Sequence, residues 1–283
     1  MEAYDIIVVL GPTASGKTAL AVDLAQVLDA EIISADSRQV YKNMNIGTGK
    51  DLQEYQGVPY HIIDICAPGT RYDVAQFQRD FWKAYTQIRQ SGKKVILCGG
   101  TGLYIDAVLH NYQHLQVPEN ETLRQELQLL SDVSLQQLAL GKILPENADL
   151  STRKRTIRAI EVAIYMETHK LRFVARPILR PFVIGLDPPL EIRRTNIIER
   201  LDKRLKGGLI EEVKFLLQNG VSSDMLHYYG LEYKFVMQYL DGIYDRSTLQ
   251  EKLGIAIQQY AKRQMTYFRS MERKGTIIHW INF

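Results

Sequence analysis

The chain has 283 residues, 46% of them hydrophobic, with 35 Lys and Arg against 32 Asp and Glu for a net charge of +3. That supplies core for one large domain or two modest ones. Two cysteines, Cys66 and Cys98, stand in no metal-ligand spacing and exclude a disulfide framework beyond one bridge, while no apolar run approaches a membrane span. The first apolar run, Ile6 to Leu10, reads as a strand rather than the core of a secretory leader, so a cytoplasmic protein is expected.

That strand is followed by Gly11-Pro12-Thr13-Ala14-Ser15-Gly16-Lys17-Thr18 and then by apolar residues at helical spacing to about Leu28. G-x-x-x-x-G-K-[ST] between strand and helix is the context a phosphate loop needs. Gly11 and Gly16 let the backbone curl until several N–H groups meet one anion, at the positive end of the helix that begins near Lys17. Lys17 adds a mobile charge, and the Thr18 hydroxyl suits Mg²⁺. The pattern reports a phosphate or diphosphate without saying whose.

Glu31 to Ser34 reads as a second strand, ending in Ala35-Asp36-Ser37-Arg38-Gln39-Val40-Tyr41. Open α/β sheets place their chemistry at such strand ends. Asp36 there is a candidate general base or Mg²⁺ partner, or a cap of the following turn. Asn45 to Lys50 is a Gly-rich loop with a cation, and Tyr60 to Ile65 reads as a strand carrying Asp64. Apolar positions predict a helix over 72–90, and Lys94 to Cys98 a central strand. Gly99-Gly100-Thr101-Gly102 follows at once, with glycines that admit a close ligand and Thr101 as its hydrogen-bonding side chain or the next helix's N-cap.

From 113 to 178 the pattern weakens into short helices over 119–130 and 134–140 and a stronger one over 151–168. Its first half holds Arg153, Lys154, Arg155 and Arg158, a face for phosphates or for solvent. A strand over 180–186 and a helix to Lys206 follow, with Arg193, Arg200 and Arg204 on one stripe that can reach back to the anion. His227 to Lys234 is polar and aromatic, fit for stacking unpaired bases or for core packing. A long helix over 247–273 carries Lys262, Thr266 and Arg269 on one face with Arg263 and Gln264 beside it, and Ile277 to Ile281 closes as a strand. The expected architecture is α/β: a phosphate-loop parallel sheet flanked by helices, in two parts over 1–112 and 179–283, with an all-helical insertion over 113–178 and a helical C-terminal part.

With these segments in view, the chain resembles the bacterial tRNA dimethylallyltransferases. The matching runs are GPTASGKT at 11–18, EIISADSRQVYKNMNIGTGK at 31–50, GGTGLY at 99–104, RTIRAIEV at 155–162 and AKRQMTYFR at 261–269, spread over nearly the whole length. The resemblance implies dimethylallyl diphosphate as donor, the adenine 3′ of the anticodon as acceptor, and Mg²⁺ held near Thr18 and Asp36. It implies a diphosphate cradle of Gly11, Thr13, Ala14, Ser15, Gly16, Lys17 and Thr18 with Arg200 or Arg204, and catalysis by Asp36, Thr101, Lys17 and Arg200. It turns Asp36, Ser37, Arg38, Gln39, Thr101, Arg124, Lys154, Arg155, Arg158, Tyr229, Tyr233, Lys262, Arg263, Gln264, Thr266 and Arg269 toward a tRNA anticodon stem-loop. A monomer with no membrane partner is expected. The chain departs from the family pattern at Glu232, where a glycine is usual, and at Asn147 to Leu150, where Asp-Pro and Asn-Asp elements are usual. Rival readings are a small-molecule kinase, a prenyltransferase for free adenine nucleotides and a non-catalytic tRNA binder. The first predicts an arginine-rich lid and nucleotide turnover. The second leaves the basic C-terminal helix without a task. The third has no need of Lys17, Thr18, Asp36 and Thr101 together.

Overall fold

Apolar alternation in the strands is two-sided, as a sheet covered by helices on both faces requires. The computed structural model describes residues 4–145, 148–170 and 175–282; Asn147, named above, lies outside them. In chain order the elements are β1 (Ile6–Leu10), α1 (Lys17–Leu28), β2 (Ala30–Ser34), β3 (Tyr60–His61), α2 (Val74–Gln90), β4 (Lys94–Gly99) and α3 (Gly102–Leu109). Then come α4 (Glu121–Gln128), α5 (Asp132–Leu140), α6 (Arg153–Thr168), β5 (Pro181–Leu186) and α7 (Leu190–Lys206). The last are α8 (Leu209–Gln218), α9 (Ser223–Tyr229), α10 (Leu231–Leu240), α11 (Arg246–Arg273) and β6 (Ile278–Ile281).

The strands form one six-stranded sheet in the order β3-β2-β4-β1-β5-β6, and every described pairing is parallel. Val9, Ile32, Ile96 and Cys98 face Ala21, Val22 and Ala25 of α1. Val8, Leu10, Ile33, Leu97 and Val183 face the larger core with Phe77, Phe81, Ile105, Leu201 and Phe268. Successive strand residues thus enter opposite cores, the period of two made visible. The carboxyl ends of β1, β2 and β4 deliver residues 11–16, 35–39 and 99–101 to one edge of the sheet, beside the point where the order turns from β4 to β5.

The strand expected over 60–65 ends at His61. Ile62 and Asp64 adopt left-handed φ of 63° and 56°, and the Asp64 N–H donates to the Gln39 carbonyl at 3.1 Å. The segment therefore docks on the turn after β2 instead of extending β3, and the Asp64 carboxylate pairs with Lys50.

The chain divides into two compact units, residues 1–110 with 178–283 and residues 111–177. The second unit is α4, α5 and α6 around Leu127, Leu135, Ala139, Ile157 and Ile160. Buried Glu161 accepts from the Asn120 N–H at 2.6 Å and from Arg124 at 2.9 Å, and also pairs with Arg158. Burial alone would raise the Glu161 pKa, but Arg124, the Asn120 N–H and Arg158 outweigh it and hold it below the usual range. Two of the arginines expected on the RNA face, Arg124 and Arg158, are thus spent on an internal carboxylate. Arg155 pairs with Asp149 at 2.7 Å on the surface, and Lys154 is exposed. Among the described residues no helix is long and apolar enough to cross a membrane.

Candidate active site

The turn after β1 is shaped by its backbone. Gly16 sits at φ 80° before α1, and that helix has no side-chain N-cap. Its first N–H groups therefore lack a side-chain partner and lie at the positive end of the helix dipole. The buried Ser15 hydroxyl has no hydrogen-bond partner. Thr13 differs: its N–H donates to Oε1 of Gln264 at 2.8 Å. The same Gln264 side chain donates through Nε2 to the Gly100 carbonyl at 2.8 Å. Gln264, expected on the RNA face of α11, is 7% exposed and braces the turn after β1 against the turn after β4.

Two pockets that share part of their lining open here, an inner lobe and an outer cleft. The inner lobe, about 80 Å³, is lined by Thr13, Lys17, Thr18, Asp36, Arg38, Gln39, Gly100, Arg200, Arg204, Glu232 and Tyr260, among others. The outer cleft, about 640 Å³, adds Ala14, Ser15, Gly16, Lys50, Asp51 and Asn196. Lys17, Thr18, Arg200 and Arg204 line both, so the cations sit at the junction. Lys17 Nζ donates to the Pro12 carbonyl at 2.6 Å. Burial, with help from Arg200, pushes the Lys17 pKa down to about 8. Burial and then Arg200 bring Arg204 down to about 10. Arg200 reaches Asp51 at 3.0 Å, whereas Arg193, on the stripe expected to face the anion, is drawn away to Asp187 at 3.5 Å.

Asp36 is half-buried at the end of β2, and one carboxylate oxygen accepts the Arg38 N–H at 2.9 Å, the turn contact foreseen as an alternative. Thr101 Oγ1 accepts the Ser37 N–H at 3.1 Å and does not cap α3, so its hydroxyl belongs to the Asp36 turn. Gln39 bonds Ser34 at 3.0 Å and the Gly49 carbonyl at 3.2 Å, holding the 45–50 loop to β2. The glycines at and just after the end of β4 make room for neighbouring protein: a Cβ on Gly99 would strike the Ala35 carbonyl, on Gly100 the Gln264 amide, and on Gly102 the Tyr267 ring.

Other expected RNA contacts resolve into two groups. Tyr229 and Tyr233 are 2% and 0% exposed, so their rings pack the core and offer no stacking face. Tyr233 donates to Glu212 at 2.8 Å, and its pKa is driven well up by burial and that carboxylate. Arg269 lies over Trp280 at 4.0 Å and pairs with Asp187 and Glu272. Lys262, Arg263 and Thr266 are exposed along α11. Two residues absent from the sequence expectations prove central. Glu212 accepts the N–H groups of Asn45, Ile46 and Gly47 at 2.7, 2.7 and 2.9 Å, and Tyr260 lies under Arg38 at 5.0 Å. No local pattern announces Glu212, because the backbone groups it holds lie more than 160 positions away. Tyr260 adjoins the AKRQ run and was within reach.

The family model described as IPP transferase matches residues 39–271. A tRNA dimethylallyltransferase of Phocaeicola vulgatus is 50% identical over 290 residues, covering 100% of this chain and 94% of that protein. The solved tRNA isopentenylpyrophosphate transferase of Bacillus halodurans is 34% identical with a TM-score of 0.72, covering 99% of this chain and 90% of that one. A eukaryotic dimethylallyltransferase acting on tRNA shares the fold, with a TM-score of 0.79 at 23% identity over 99% of this chain and 74% of that one. A matched family model over most of the length and half-identical relatives over all of it leave one conclusion: the chain belongs to the IPP transferase family.

Proposed function

We propose that this protein transfers a dimethylallyl group from dimethylallyl diphosphate to the exocyclic amine of the adenine 3′ of the anticodon in tRNA, releasing pyrophosphate. One observation carries the reading: Lys17, Thr18, Asp36, Arg200 and Arg204 all line the inner lobe, and all of them but Asp36 also line the outer cleft. The allylic carbon–oxygen bond breaks and its electron pair leaves with pyrophosphate. The amine nitrogen bonds that carbon, and its proton passes to the Asp36 carboxylate. The amine lone pair is delocalised into the ring, so a base that takes the proton as the bond forms lowers the barrier. Lys17, Arg200, Arg204 and the free N–H groups of α1 stabilise charge growing on the leaving oxygen. The orphaned Ser15 hydroxyl finds its acceptor in a phosphate oxygen.

Mg²⁺ fits this donor set. Among the described residues no three His, Cys, Asp or Glu side chains gather for a metal. The Thr18 hydroxyl and Asp36 nevertheless line one cavity, and hard oxygen donors of this kind suit an ion that keeps waters and takes phosphate oxygens. When bound, the ion supplies further neutralisation of the diphosphate. Thr101 holds the Asp36 turn. The exposed Lys154, Lys262, Arg263 and Thr266 meet tRNA phosphates, with the protein acting as a cytoplasmic monomer.

Labelled dimethylallyl diphosphate, Mg²⁺ and either an unmodified anticodon stem-loop or AMP decide the matter. Label is expected in the stem-loop. Label in AMP and none in RNA would overturn the tRNA reading in favour of a free-nucleotide prenyltransferase.

A further inference from the structure

Glu232 is the second residue of α10, where most of its neighbours in that turn face the core, yet it carries a carboxylate that is 5% exposed. It is shared. Oε1 meets Arg204 at 3.3 Å and Oε2 meets Arg38 at 3.0 Å. All three line the inner lobe. The arginines belong to different halves of the proposed chemistry. Arg204 stands at the junction with Lys17, and Arg38 donates its N–H to Asp36.

Each arginine is otherwise poorly placed to lose this partner. A Cβ on Gly230 would collide with the Arg38 guanidinium, which lies over the Tyr260 ring on its other side. Arg38 therefore fills a slot in which its guanidinium is paired with Glu232. Arg204 is packed so close to Gly49 that a Cβ there would overlap its guanidinium. One buried carboxylate between two partly buried guanidiniums leaves one net positive charge on the trio. That is enough to attract an anion without leaving two like charges unbalanced.

We propose that Glu232 is a positioning residue for prenyl transfer, a shared counterion that fixes Arg204 toward the diphosphate and Arg38, and through it Asp36, toward the acceptor. This rests on the function proposed above. It predicts that donor affinity and chemistry part company when the carboxylate is neutralised. In Glu232→Gln the Arg204 charge is released to the diphosphate, while Arg38 and the Asp36 turn lose their anchor. The KM for dimethylallyl diphosphate is expected to fall about fivefold, and the single-turnover rate of transfer to the stem-loop to fall about tenfold. A lower KM with an unchanged rate would make Glu232 a source of field only. A raised or unchanged KM would make it a packing residue only. Either overturns the proposal.

Glu232→Asp keeps the charge but is one methylene shorter, so it reaches one arginine and not both. It is expected to show a near-normal donor KM and an intermediate rate. A full wild-type rate in Glu232→Asp overturns the proposal even where the Gln variant fails to fold. Wild-type protein runs in parallel: if it prenylates no RNA, the function reading fails. Calorimetric pyrophosphate binding to wild type and Glu232→Gln then still tests the counterion, with about fivefold tighter binding expected of the variant and equal or weaker binding overturning it.

Discussion

Gln264 is the side chain that bridges the turn after β1 and the turn after β4, and its removal is a calculable perturbation. Gln264→Ala leaves the Thr13 N–H and the Gly100 carbonyl without the partners they hold at 2.8 Å each. A buried polar group stripped of its bond costs about 1–3 kcal/mol. Two such groups would sum to about 2–6 kcal/mol. Gln264 lines the inner lobe, so water can replace part of the loss, and a value toward the lower end of that range, about 2–3 kcal/mol, is expected. For a unit of this size that lowers Tm by roughly 5–10 °C. Both tryptophans, Trp82 and Trp280, lie in the unit formed by residues 1–110 and 178–283. Their fluorescence in a urea titration reports that unit alone. A loss under about 0.5 kcal/mol, the range of ordinary surface changes, would refute the brace. Gln264→Glu sharpens the test: it can still accept from Thr13 but cannot donate to Gly100, and it sets a negative charge beside the phosphate turn. Its donor KM should exceed that of the Ala variant.

Asp36→Asn keeps the shape of the turn and removes the base, so the single-turnover rate should fall about 10²–10⁴-fold with stem-loop affinity nearly unchanged; equal losses in filter binding and rate would make Asp36 a binding residue. Lys17, brought down to about 8 by burial, loses its proton as pH rises through that value. In the proposed reaction the charged form holds the diphosphate, so kcat/KM for the donor should fall above about pH 8, and a pH series on Lys17→Arg should lack that limb. Lys262→Ala changes an exposed residue of α11 and should weaken stem-loop binding while reducing the salt slope by about one unit. An unchanged slope would remove that face from the interface.

The sheet was legible because its signals are local. A strand buried on both faces is a short apolar run, and α1 starts where a glycine at φ 80° ends the turn. β3 is shorter than its apolar run suggests because Ile62 and Asp64 bend away through left-handed φ, which the branched Ile62 disfavours, to meet a turn 25 residues earlier. Tyr229 and Tyr233 illustrate a different failure. A tyrosine offers the same ring to a base or to a core, and only the position of a hydroxyl partner decides. For Tyr229 that partner is the Gly69 N–H at 2.6 Å, and for Tyr233 it is Glu212. The basic stretch of α6 likewise reads as one patch, although Glu161, a few residues on, draws Arg124 and Arg158 inward. Charge clusters show in a sequence; the buried carboxylates that consume them do not.

Sequence spacing left Arg200 and Arg204 equivalent, and the structure separates them by the partners each would have to leave. Arg200 pairs with Asp51 at 3.0 Å, with side chains 33% and 52% exposed. Such a surface pair is worth about 0–1 kcal/mol, so a diphosphate can take its place readily. Arg204 pairs with Glu232, with side chains 13% and 7% exposed. Parting them strands a buried charge at about 3–5 kcal/mol. Under the proposed function, Arg200 is therefore the arginine expected to move onto the diphosphate, with Arg204 acting from where it stands. Arg200→Ala should raise the donor KM with urea stability within about 0.5 kcal/mol of wild type. Arg204→Ala should lower stability by about 2 kcal/mol or more, because Glu232 keeps one partner of two. If the stability losses fall the other way round, the exposed pair rather than the buried one holds the junction together, and Arg204 becomes the mobile ligand.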